Sequence, residues 1–551
     1  MESSILDKIS RYYPHILLAL CCLLFPLAIG SASLFDWDEV NFAEAAREMI
    51  VTKNYLNVQI NFLPFWEKPP LFFWIQSLSM HIFGVNAFAA RFPNAVVGVI
   101  SIMSIYTIGK KWLSPNFGFL WALAYLGSIL PHFYFKSGII DPLFNLFIFG
   151  ALYQFFQYMQ AYRFQFVLST AVLAGLAVLT KGPVAILVIA LVLFFFLWYK
   201  WGSFKLIAWH WLVAIGVIGL LTSVWFAAEI IQGGGWALFQ QFFDYQVRLF
   251  TSSEAGHGQP FYYHFVVLFI GCFPISLIAF PYILKRNFPD AEAKVKDLYT
   301  LQFILFWVVL ILFSLTTTKI LHYSSLCYFP LSFIAAYVVN RKIEKKERIS
   351  TFSFLLLGLV GSVLAIAFTA LPLLIRYKDA VIPLVKDRFA VQNMLMPVTW
   401  GGWEFLIGAL YFGLLVLVLM RLRKQTQYVV YLFLLNAIML NALMMGIVPK
   451  LEQHLQGSLI SFFRAHQGSD AYVTTFGFKS YAQYFYTNKQ APINRASLED
   501  QWLITGPIDK PVYIVSKIFQ REEVLRHPDI KLLYEQGGFV FYVRMPKAYI
   551  H

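Results

Sequence analysis

Long apolar runs, separated by short connections, make up most of the chain. Stretches long enough to cross a membrane begin near His15, Phe88, Phe117, Gly138, Phe166, Pro183, Leu206, Tyr262, Leu301, Tyr323, Phe352, Glu404 and Tyr428. A helix needs about 20 mainly apolar residues to cross the hydrocarbon core of a bilayer. The pattern therefore predicts a polytopic α-helical membrane protein with about thirteen transmembrane helices.

Basic residues collect on every second connection between these runs. One set comprises Lys8, Arg11, Lys110, Lys111, Arg163, Lys200, Lys205 and the basic residues of 285–296, 341–348 and 421–424. The connections on the other side carry little beyond Lys136, Lys181 and Lys319. Because cytoplasmic loops carry the excess of lysine and arginine, the first set is predicted to be cytoplasmic. An odd number of spans then places the C-terminal tail outside.

Two outer segments are too large to be simple connections. Residues 35–87 form the first, where Asp38 suits a helix N-cap and an apolar stripe from Phe42 to Met49 predicts an amphipathic helix on the membrane surface. Glu44, Arg47 and Glu48 fall on the polar face of that helix. Pro69-Pro70 predicts the start of a second surface helix that extends through Gly84.

The second outer segment is the tail, where the composition changes near residue 449. Residues 471–476, 511–516 and 538–544 are short, rich in β-branched and aromatic residues and bounded by turn residues, whereas 451–466 and 520–527 have a helical pattern. The sequence therefore predicts two domains: a transmembrane domain over residues 1–448 and an extracytoplasmic α/β domain over residues 449–551.

The composition supports a membrane protein over the other broad classes. Of 551 residues, 59% are hydrophobic and 13% are charged, and the mean hydropathy is +0.64. An ordinary soluble domain has about 25% charged residues, so a large soluble enzyme is nearly excluded. The formal charge of +14 fits basic cytoplasmic loops better than a nucleic-acid partner. The four cysteines lie in apolar runs without the spacing of metal ligands.

Ionisable residues gather at the predicted outer edge of the membrane. They are Asp38, Glu39, Glu67, Lys68, Asp141, Lys181 and Lys319, the last of these close to Tyr323. Each taken alone is explained by helix capping, snorkelling or a structural ion pair. Their convergence on one face favours a functional site, because an unpaired charge there costs a few kcal/mol. Sugar transfer from a polyprenyl phosphate needs cations for the departing phosphate and a carboxylate for the acceptor or the reacting carbon.

Several motifs occur in the order found in a known family. They are Asp38-Glu39, Ala43-Glu44, Arg47-Glu48-Met49, Glu67-Lys68-Pro69-Pro70, residues 88–91, Asp141, residues 180–182 and the stretch 314–330. The chain thereby resembles the GT-C membrane glycosyltransferases of the protein O-mannosyltransferase superfamily, and within it the bacterial lipid A aminoarabinose transferases. The match covers roughly residues 35–335. Asn41-Phe42 stands where that branch usually has Arg-Tyr, which leaves the sugar and the acceptor open.

The resemblance implies a role for each of these outer residues. Asp38 would be the catalytic carboxylate, with Glu39 and Asp141 as further acids of the same cavity. Lys68, Lys181 and Lys319, with Tyr323, would bind the donor phosphate. Glu67 and His257 would hold a divalent metal such as zinc, magnesium or manganese, although His257 is equally well explained as a polar loop residue.

The expected function is inverting transfer of a sugar from an undecaprenyl- or dolichyl-type phosphate, outside the cytoplasmic membrane. The acceptor is lipid A, another glycolipid or a protein hydroxyl. The chief alternative is a transporter or flippase of lipid-linked sugars. Transporters place their charges near the membrane midplane, whereas here the charges gather at one edge. A structural scaffold does not explain that convergence.

Overall fold

The computed structural model describes residues 10–202, 207–231, 236, 240–242, 244, 247–248, 258–285 and 292–547. Its first half is almost entirely helical. These helices are α1 Tyr13–Leu24, α2 Asp38–Thr52, α3 Leu71–Phe83, α4 Ala87–Trp112, α5 Pro115–Leu126, α6 Ile129–Tyr134, α7 Asp141–Ala161, α8 Phe164–Lys181, α9 Val184–Tyr199, α10 Ala208–Glu229, α11 Tyr263–Gly271 and α12 Ile275–Lys285.

The second half begins with further apolar helices and ends in a mixed domain. The helices are α13 Ala293–Leu315, α14 Tyr328–Glu344, α15 Thr351–Arg376, α16 Lys378–Val381, α17 Arg388–Met394, α18 Phe405–Leu422, α19 Val429–Gly446, α20 Val448–Ala465, α21 Ala482–Tyr486, α22 Asp500–Thr505 and α23 Arg521–Val524. A 3₁₀ helix, Leu321–Cys327, precedes α14. A small hairpin in the first outer loop pairs β1 (Gln59–Ile60) with β2 (Leu63–Pro64).

Each predicted span corresponds to a helix or to a pair of short helices. Within the described residues, seven helical stretches are long and apolar enough to cross a membrane by themselves, and four shorter apolar helices accompany them. The predicted span from Tyr262 is broken into α11 and α12 at residues 272–274. The protein is therefore a multi-pass membrane protein in which several spans are short or interrupted.

The helix α2 forms where it was predicted, but it is buried on its polar side as well. Glu44, Arg47 and Glu48 are fully buried, together with the apolar stripe. The expectation of a polar face exposed above the membrane is therefore wrong. The reason is tertiary, because α3 and the hairpin pack on one side of α2 and the C-terminal helix α21 packs on another. The second predicted helix, α3, begins after Pro70 and ends at Phe83, with Gly84 as its C-cap, one residue short of the prediction.

The C-terminal part contains a four-stranded sheet. Its strands are β3 Tyr472–Phe476, β4 Val512–Lys517, β5 Ile530–Gln536 and β6 Phe539–Arg544, in the order β3-β4-β6-β5. The first pair is parallel and the other two are antiparallel, with Tyr472 opposite Val512 and Val512 opposite Arg544.

Three of these four strands, β3, β4 and β6, were predicted from the sequence. The strand β5 was not, because its outward-facing edge position leaves it largely exposed and without a clear apolar alternation. The domain boundary at residue 449 stays a prediction.

A buried charge cluster joins α2 to the C-terminal domain. Arg47 donates to both carboxylate oxygens of Glu44 at 2.7 Å, and to the Asn488 side-chain oxygen at 3.1 Å. The pKa of Glu48 is raised to about 9, mainly because the side chain is buried and also because it lies beside the charge of Glu44. Burial lowers the pKa of Lys489 to about 8, against the opposing effect of Glu48 and Glu44. The cluster holds the first outer loop and the C-terminal domain together.

Glu48 is expected to make the protein less stable as the pH rises from about 5 to about 8. The folded state keeps Glu48 protonated up to its raised pKa of about 9, whereas the unfolded chain loses that proton near its ordinary pKa. The folded state therefore binds more protons in this window, and the free energy of unfolding falls by up to about 1.4 kcal/mol per pH unit. Glu48→Gln should flatten this slope in melting curves. The exposed Glu523→Gln is the control, and an unchanged slope in Glu48→Gln would contradict the assignment.

Candidate functional site

Asp38 is the first residue of α2, and its side chain is free of a capping role. The N-cap position belongs to Trp37, which has a φ of 86° and makes no side-chain capping hydrogen bond. The predicted N-cap role of Asp38 is therefore wrong by one position. A positive φ is unfavourable for a bulky residue and is held by surrounding contacts, often at functional sites. The carboxylate of Asp38 is partly exposed, with 30% of its side-chain surface accessible.

His322 brings Asp38 and Asp141 together. Its Nε2 atom lies 3.4 Å from Oδ2 of Asp38 and 3.6 Å from Oδ2 of Asp141. Asp141 is the first residue of α7, and it is almost completely buried. The two acids therefore converge on one nitrogen of the same imidazole, although 103 positions separate them in the sequence. We call Asp38, Asp141, His322 and Lys181 the acid–histidine–lysine cluster.

Lys181 completes this cluster from the C-terminal end of α8. Its Nζ atom donates to Oδ1 of Asp141 at 2.5 Å. The same ammonium lies 4.9 Å from the ring centre of Tyr323, within the range of a cation–π contact. The turn at Gly182, with a φ of 96°, ends α8 at Lys181 and separates it from the next helix, α9.

Lys68 is held close to the same charges. Burial lowers the pKa of Lys68, the charge of Lys181 lowers it further, and Glu67, Asp38 and Asp141 oppose that shift. A lysine with a lowered pKa is a poorly solvated cation and gains much from an anionic ligand. The structure therefore brings Lys68, Lys181, Asp38 and Asp141 into one charged region, as the sequence predicted.

Lys319 is placed differently from the other two lysines. Its side chain is buried, and its Nζ atom donates to the backbone oxygen of Thr316 at 2.5 Å. The hydroxyl of Thr316 in turn donates to the backbone oxygens of Phe313 and Thr318. These contacts stabilise the turn that carries His322 and Tyr323 into the site. Binding of a donor phosphate by Lys319 stays a prediction.

Glu39 points away from the acid–histidine–lysine cluster. Arg91 donates to both of its carboxylate oxygens, at 2.9 and 2.7 Å, and the backbone N–H groups of Gly138 and Phe35 donate to them at 2.6 and 3.0 Å. Burial raises the pKa of Glu39, but the charge of Arg91 and these hydrogen bonds outweigh it and keep the pKa lowered. The geometry favours an anchoring role for Glu39 over the predicted catalytic one.

The C-terminal domain contributes to the mouth of the site. Lys479 lies 5.7 Å from the ring centre of Trp37 and 5.2 Å from that of Tyr481, and the two rings are 5.9 Å apart. The backbone N–H of Tyr481 donates to Asp36 at 3.5 Å. The sequence did not predict Lys479, because the residues around it form no motif that indicates a site. The sequence analysis also assigned no role to His322, although this histidine precedes Tyr323, which was one of the predicted site residues.

The two predicted metal ligands have different outcomes. Glu67 lies near Lys68 and acts electrostatically on Lys479 and Tyr481 of the C-terminal domain. His257 lies outside the described residues. Among the residues that the structure describes, no group of three or more His, Cys, Asp or Glu side chains could hold a metal ion.

This arrangement has a definite chemical capacity. Two cations, Lys68 and Lys181, lie in one charged region and can together neutralise an anionic group such as a phosphate. Asp38 is the more exposed of the two acids and can reach a second substrate. Asp141 is buried under Lys181, so it positions charges more readily than it meets an acceptor.

Comparison with known proteins gives three further findings. Residues 67–226 match the family described as dolichyl-phosphate-mannose-protein mannosyltransferase. An undecaprenyl phosphate-alpha-4-amino-4-deoxy-L-arabinose arabinosyl transferase from Aeromonas salmonicida is 28% identical over 349 residues, with 62% of each chain covered. A second transferase of that name, from Proteus mirabilis, is 26% identical over 398 residues, covering 70% of this chain and 67% of the relative. The chain spans 62–65% of the length of the first three curated relatives.

The fold has a solved counterpart over nearly its whole length. A crystal structure of ArnT from Cupriavidus metallidurans bound to undecaprenyl phosphate superposes with a TM-score of 0.74 at 16% identity. The match covers 96% of this chain and 97% of the other. The C-terminal sheet domain, which lies beyond the sequence motifs of residues 35–335, is included in this coverage. The chain therefore has the GT-C fold. These findings confirm its resemblance to the membrane glycosyltransferases of the protein O-mannosyltransferase superfamily, and within it to the aminoarabinose transferases.

Proposed function

We propose that this protein is a glycosyltransferase that moves a sugar from a polyprenyl-phosphate donor to an acceptor at the outer face of the membrane. The observation that carries the proposal is the acid–histidine–lysine cluster, in which Asp38 and the Asp141–Lys181 ion pair meet at Nε2 of His322. The curated relatives are transferases named for undecaprenyl phosphate-linked aminoarabinose, which supports a polyprenyl-phosphate donor of the same class.

In this reaction the bond between the sugar carbon C1 and the donor phosphate oxygen breaks, and the acceptor oxygen bonds to C1 from the opposite face. The polyprenyl phosphate leaves with the electron pair of the broken bond, and Lys68 and Lys181 neutralise the charge that it acquires. These ammonium groups lie at the edge of the bilayer, so the lipid of the donor stays in the membrane throughout.

The role of Asp38 depends on the acceptor. If the acceptor is a hydroxyl of a protein or a sugar, Asp38 takes its proton as a general base and passes it to water. If the acceptor is a phosphate of lipid A or another glycolipid, the attacking oxygen is already ionised, and Asp38 orients it or stabilises positive charge at C1. His322 holds Asp38 in place in both cases.

The divalent metal stays a prediction. Glu67 supplies a carboxylate at the mouth of the site, a ligand type that zinc, magnesium and manganese all accept. A metal held there would supply further positive charge for the donor phosphate. Chelation followed by restoring each ion separately measures this: recovery of turnover with one ion supports the site, and full activity in the chelated protein contradicts it.

We propose the cytoplasmic membrane as the location, with the site and the C-terminal domain on the periplasmic side. A cysteine introduced at the exposed Gln467 should react with an impermeant thiol reagent in intact cells, and one at Lys345 should react only after lysis. The reason is that Lys345 belongs to the basic connections that the positive-inside rule places in the cytoplasm. Protection of position 467 in intact cells would overturn the orientation.

Lys181→Ala should weaken donor binding by about 10- to 100-fold, since a charge-assisted hydrogen bond to a phosphate contributes about 1.5–3 kcal/mol. The measurement is the KM for the polyprenyl-phosphate sugar, with the melting temperature recorded in parallel. Lys200→Ala is the matched control, because it breaks the Lys200–Asp297 ion pair elsewhere in the membrane domain. Loss of folded protein without a change in donor affinity would instead make Lys181 a structural residue.

A strain lacking the gene tests the proposed function as a whole. Mass spectrometry of its extracted lipids and glycoproteins should reveal a species that lacks one sugar residue, restored by the wild-type gene but not by Asp38→Asn. An unchanged set of glycans and lipids, or equal restoration by both genes, would contradict the proposal.

A further inference from the structure

A polar cleft of about 850 Å³ lies between the transmembrane part and the C-terminal helix α20. The transmembrane side contributes the loop after α1 and the start of α4, and the C-terminal side contributes the outward face of α20. The polar side chains that line it include Ser31, Ser33, Asn86, Gln453, Ser461 and Arg464. We call this space the interdomain cleft. Its volume is in the range of sites for small molecules.

The interdomain cleft is separate from the acid–histidine–lysine cluster. Arg91 donates to the backbone oxygens of Ala32 and Ser33, at 2.8 and 3.0 Å, and these two residues line the cleft. The same guanidinium binds Glu39, which follows Asp38 in the chain. The buried Arg91–Glu39 pair therefore stands between the cleft and α2. None of the four residues of the acid–histidine–lysine cluster is among the residues that line the cleft.

The lining favours a neutral, hydroxyl-rich ligand. Hydroxyl and amide side chains dominate the polar wall, and each can donate and accept hydrogen bonds. The charged lining residues are Arg464 and Glu452, whose charges cancel. Glu452 is 4% exposed, accepts a hydrogen bond from the side-chain amide of Gln456 at 3.1 Å and interacts electrostatically with Arg91. Because the charges of Glu452 and Arg464 balance, the lining gives a phosphate no net attraction, whereas the carboxylate can still accept hydrogen bonds from hydroxyl groups.

The other wall of the cleft is apolar and lies at the N-terminal end of a spanning helix. Phe83 and Phe88 line it, with ring centres 5.3 Å apart, immediately before the long spanning helix α4. Phe83 and its neighbour Ile82 are exposed, so this end of the cleft opens onto an apolar surface beside the span. A ligand with a polar head and a lipid anchor satisfies both walls.

We propose that the interdomain cleft binds the neutral saccharide headgroup of a membrane glycolipid. The sugar hydroxyls meet the serine, amide and carboxylate groups of α20 and the loop after α1. The lipid chains leave past Phe83 and Phe88 into the bilayer. Because the cleft is separated from Asp38, this binding site does not depend on the proposed transferase activity.

The test is a titration of the purified full-length protein followed by native mass spectrometry. The probes are diglucosyl diacylglycerol, the same diacylglycerol without sugar, phosphatidylglycerol, and free maltose. We expect saturable binding of the glucolipid at concentrations at least tenfold lower than for any of the other three. Equal binding of diacylglycerol or of phosphatidylglycerol would overturn recognition of a neutral sugar. Equal binding of maltose would overturn the requirement for a lipid.

Two variants assign the binding to the cleft. Ser461→Trp fills the space and should weaken glucolipid binding at least tenfold, and Gln453→Leu removes one amide from the same wall and should weaken it severalfold. Ser469→Trp, on the exposed end of the same domain, is the control for a bulky substitution. Melting curves identify any variant that does not fold. Wild-type affinity in the folded variants would overturn the proposal, including in Gln453→Leu alone if Ser461→Trp does not fold.

Discussion

Asp38→Asn is expected to lower the rate of sugar transfer by about 10²–10⁴-fold without changing the melting temperature. The substitution keeps the size of the side chain and removes the charge or base that the acceptor needs. The N-cap position is occupied by Trp37, so the start of α2 does not depend on the Asp38 carboxylate. The measurement is turnover of the purified variant with a melting curve from the same preparation.

Asp36→Asn is the matched control for Asp38→Asn. Asp36 lies two residues earlier, and its Oδ1 accepts hydrogen bonds from the backbone N–H groups of Trp37 at 2.9 Å and Tyr481 at 3.5 Å. It therefore supports the loop without facing His322, and turnover should stay close to that of the wild type. Near-normal turnover in a stable Asp38→Asn protein would remove Asp38 from the reaction.

Arg91→Met is expected to destabilise the protein by about 3–5 kcal/mol, the usual effect of removing one partner from a buried ion pair. The variant leaves the buried carboxylate of Glu39 with two backbone N–H groups and no counter-charge. It also removes the donor to the backbone oxygens of Ile29, Ala32 and Ser33, which fix the loop after α1. Denaturation of the variant in detergent measures the loss.

The double variant Glu39→Met with Arg91→Met separates a lost ion pair from lost packing. Because neither charge is left alone, it should be more stable than Arg91→Met. Glu39→Gln tests the catalytic role predicted for Glu39: our account expects reduced stability, with turnover per folded molecule close to wild type. A stable Glu39→Gln protein with very low turnover would return Glu39 to the catalytic residues.

The apolar periodicity predicted most of the architecture because a bilayer imposes a simple length rule on each span. The ends of those spans also led us to expect Asp38, Lys68, Asp141 and Lys181 on one face, and the structure brings these residues together. The strands β3, β4 and β6 were also predicted, since each is a short β-branched and aromatic run between turn residues.

The sequence could not predict contacts made across long separations. The polar face of α2 was expected to meet water, but Asn488 covers it from 441 positions away. His322 lies near Asp38 only because its 3₁₀ helix packs against α7. Arg91 was noted as part of a motif, but not as the ion-pair partner of Glu39. The sequence alone does not distinguish a catalytic carboxylate beside Asp38 from one that forms a structural ion pair.

The central claim is that the acid–histidine–lysine cluster breaks the sugar–phosphate bond of a membrane donor. The most direct measurement uses the purified protein in nanodiscs with a polyprenyl-phosphate sugar labelled in the sugar, and follows release of polyprenyl phosphate with and without an acceptor glycolipid. Our account predicts that label appears on the acceptor in step with released polyprenyl phosphate, and that Asp38→Asn abolishes both. An intact donor in this assay, together with its movement across the bilayer of proteoliposomes, would contradict the account and favour a transporter of lipid-linked sugars.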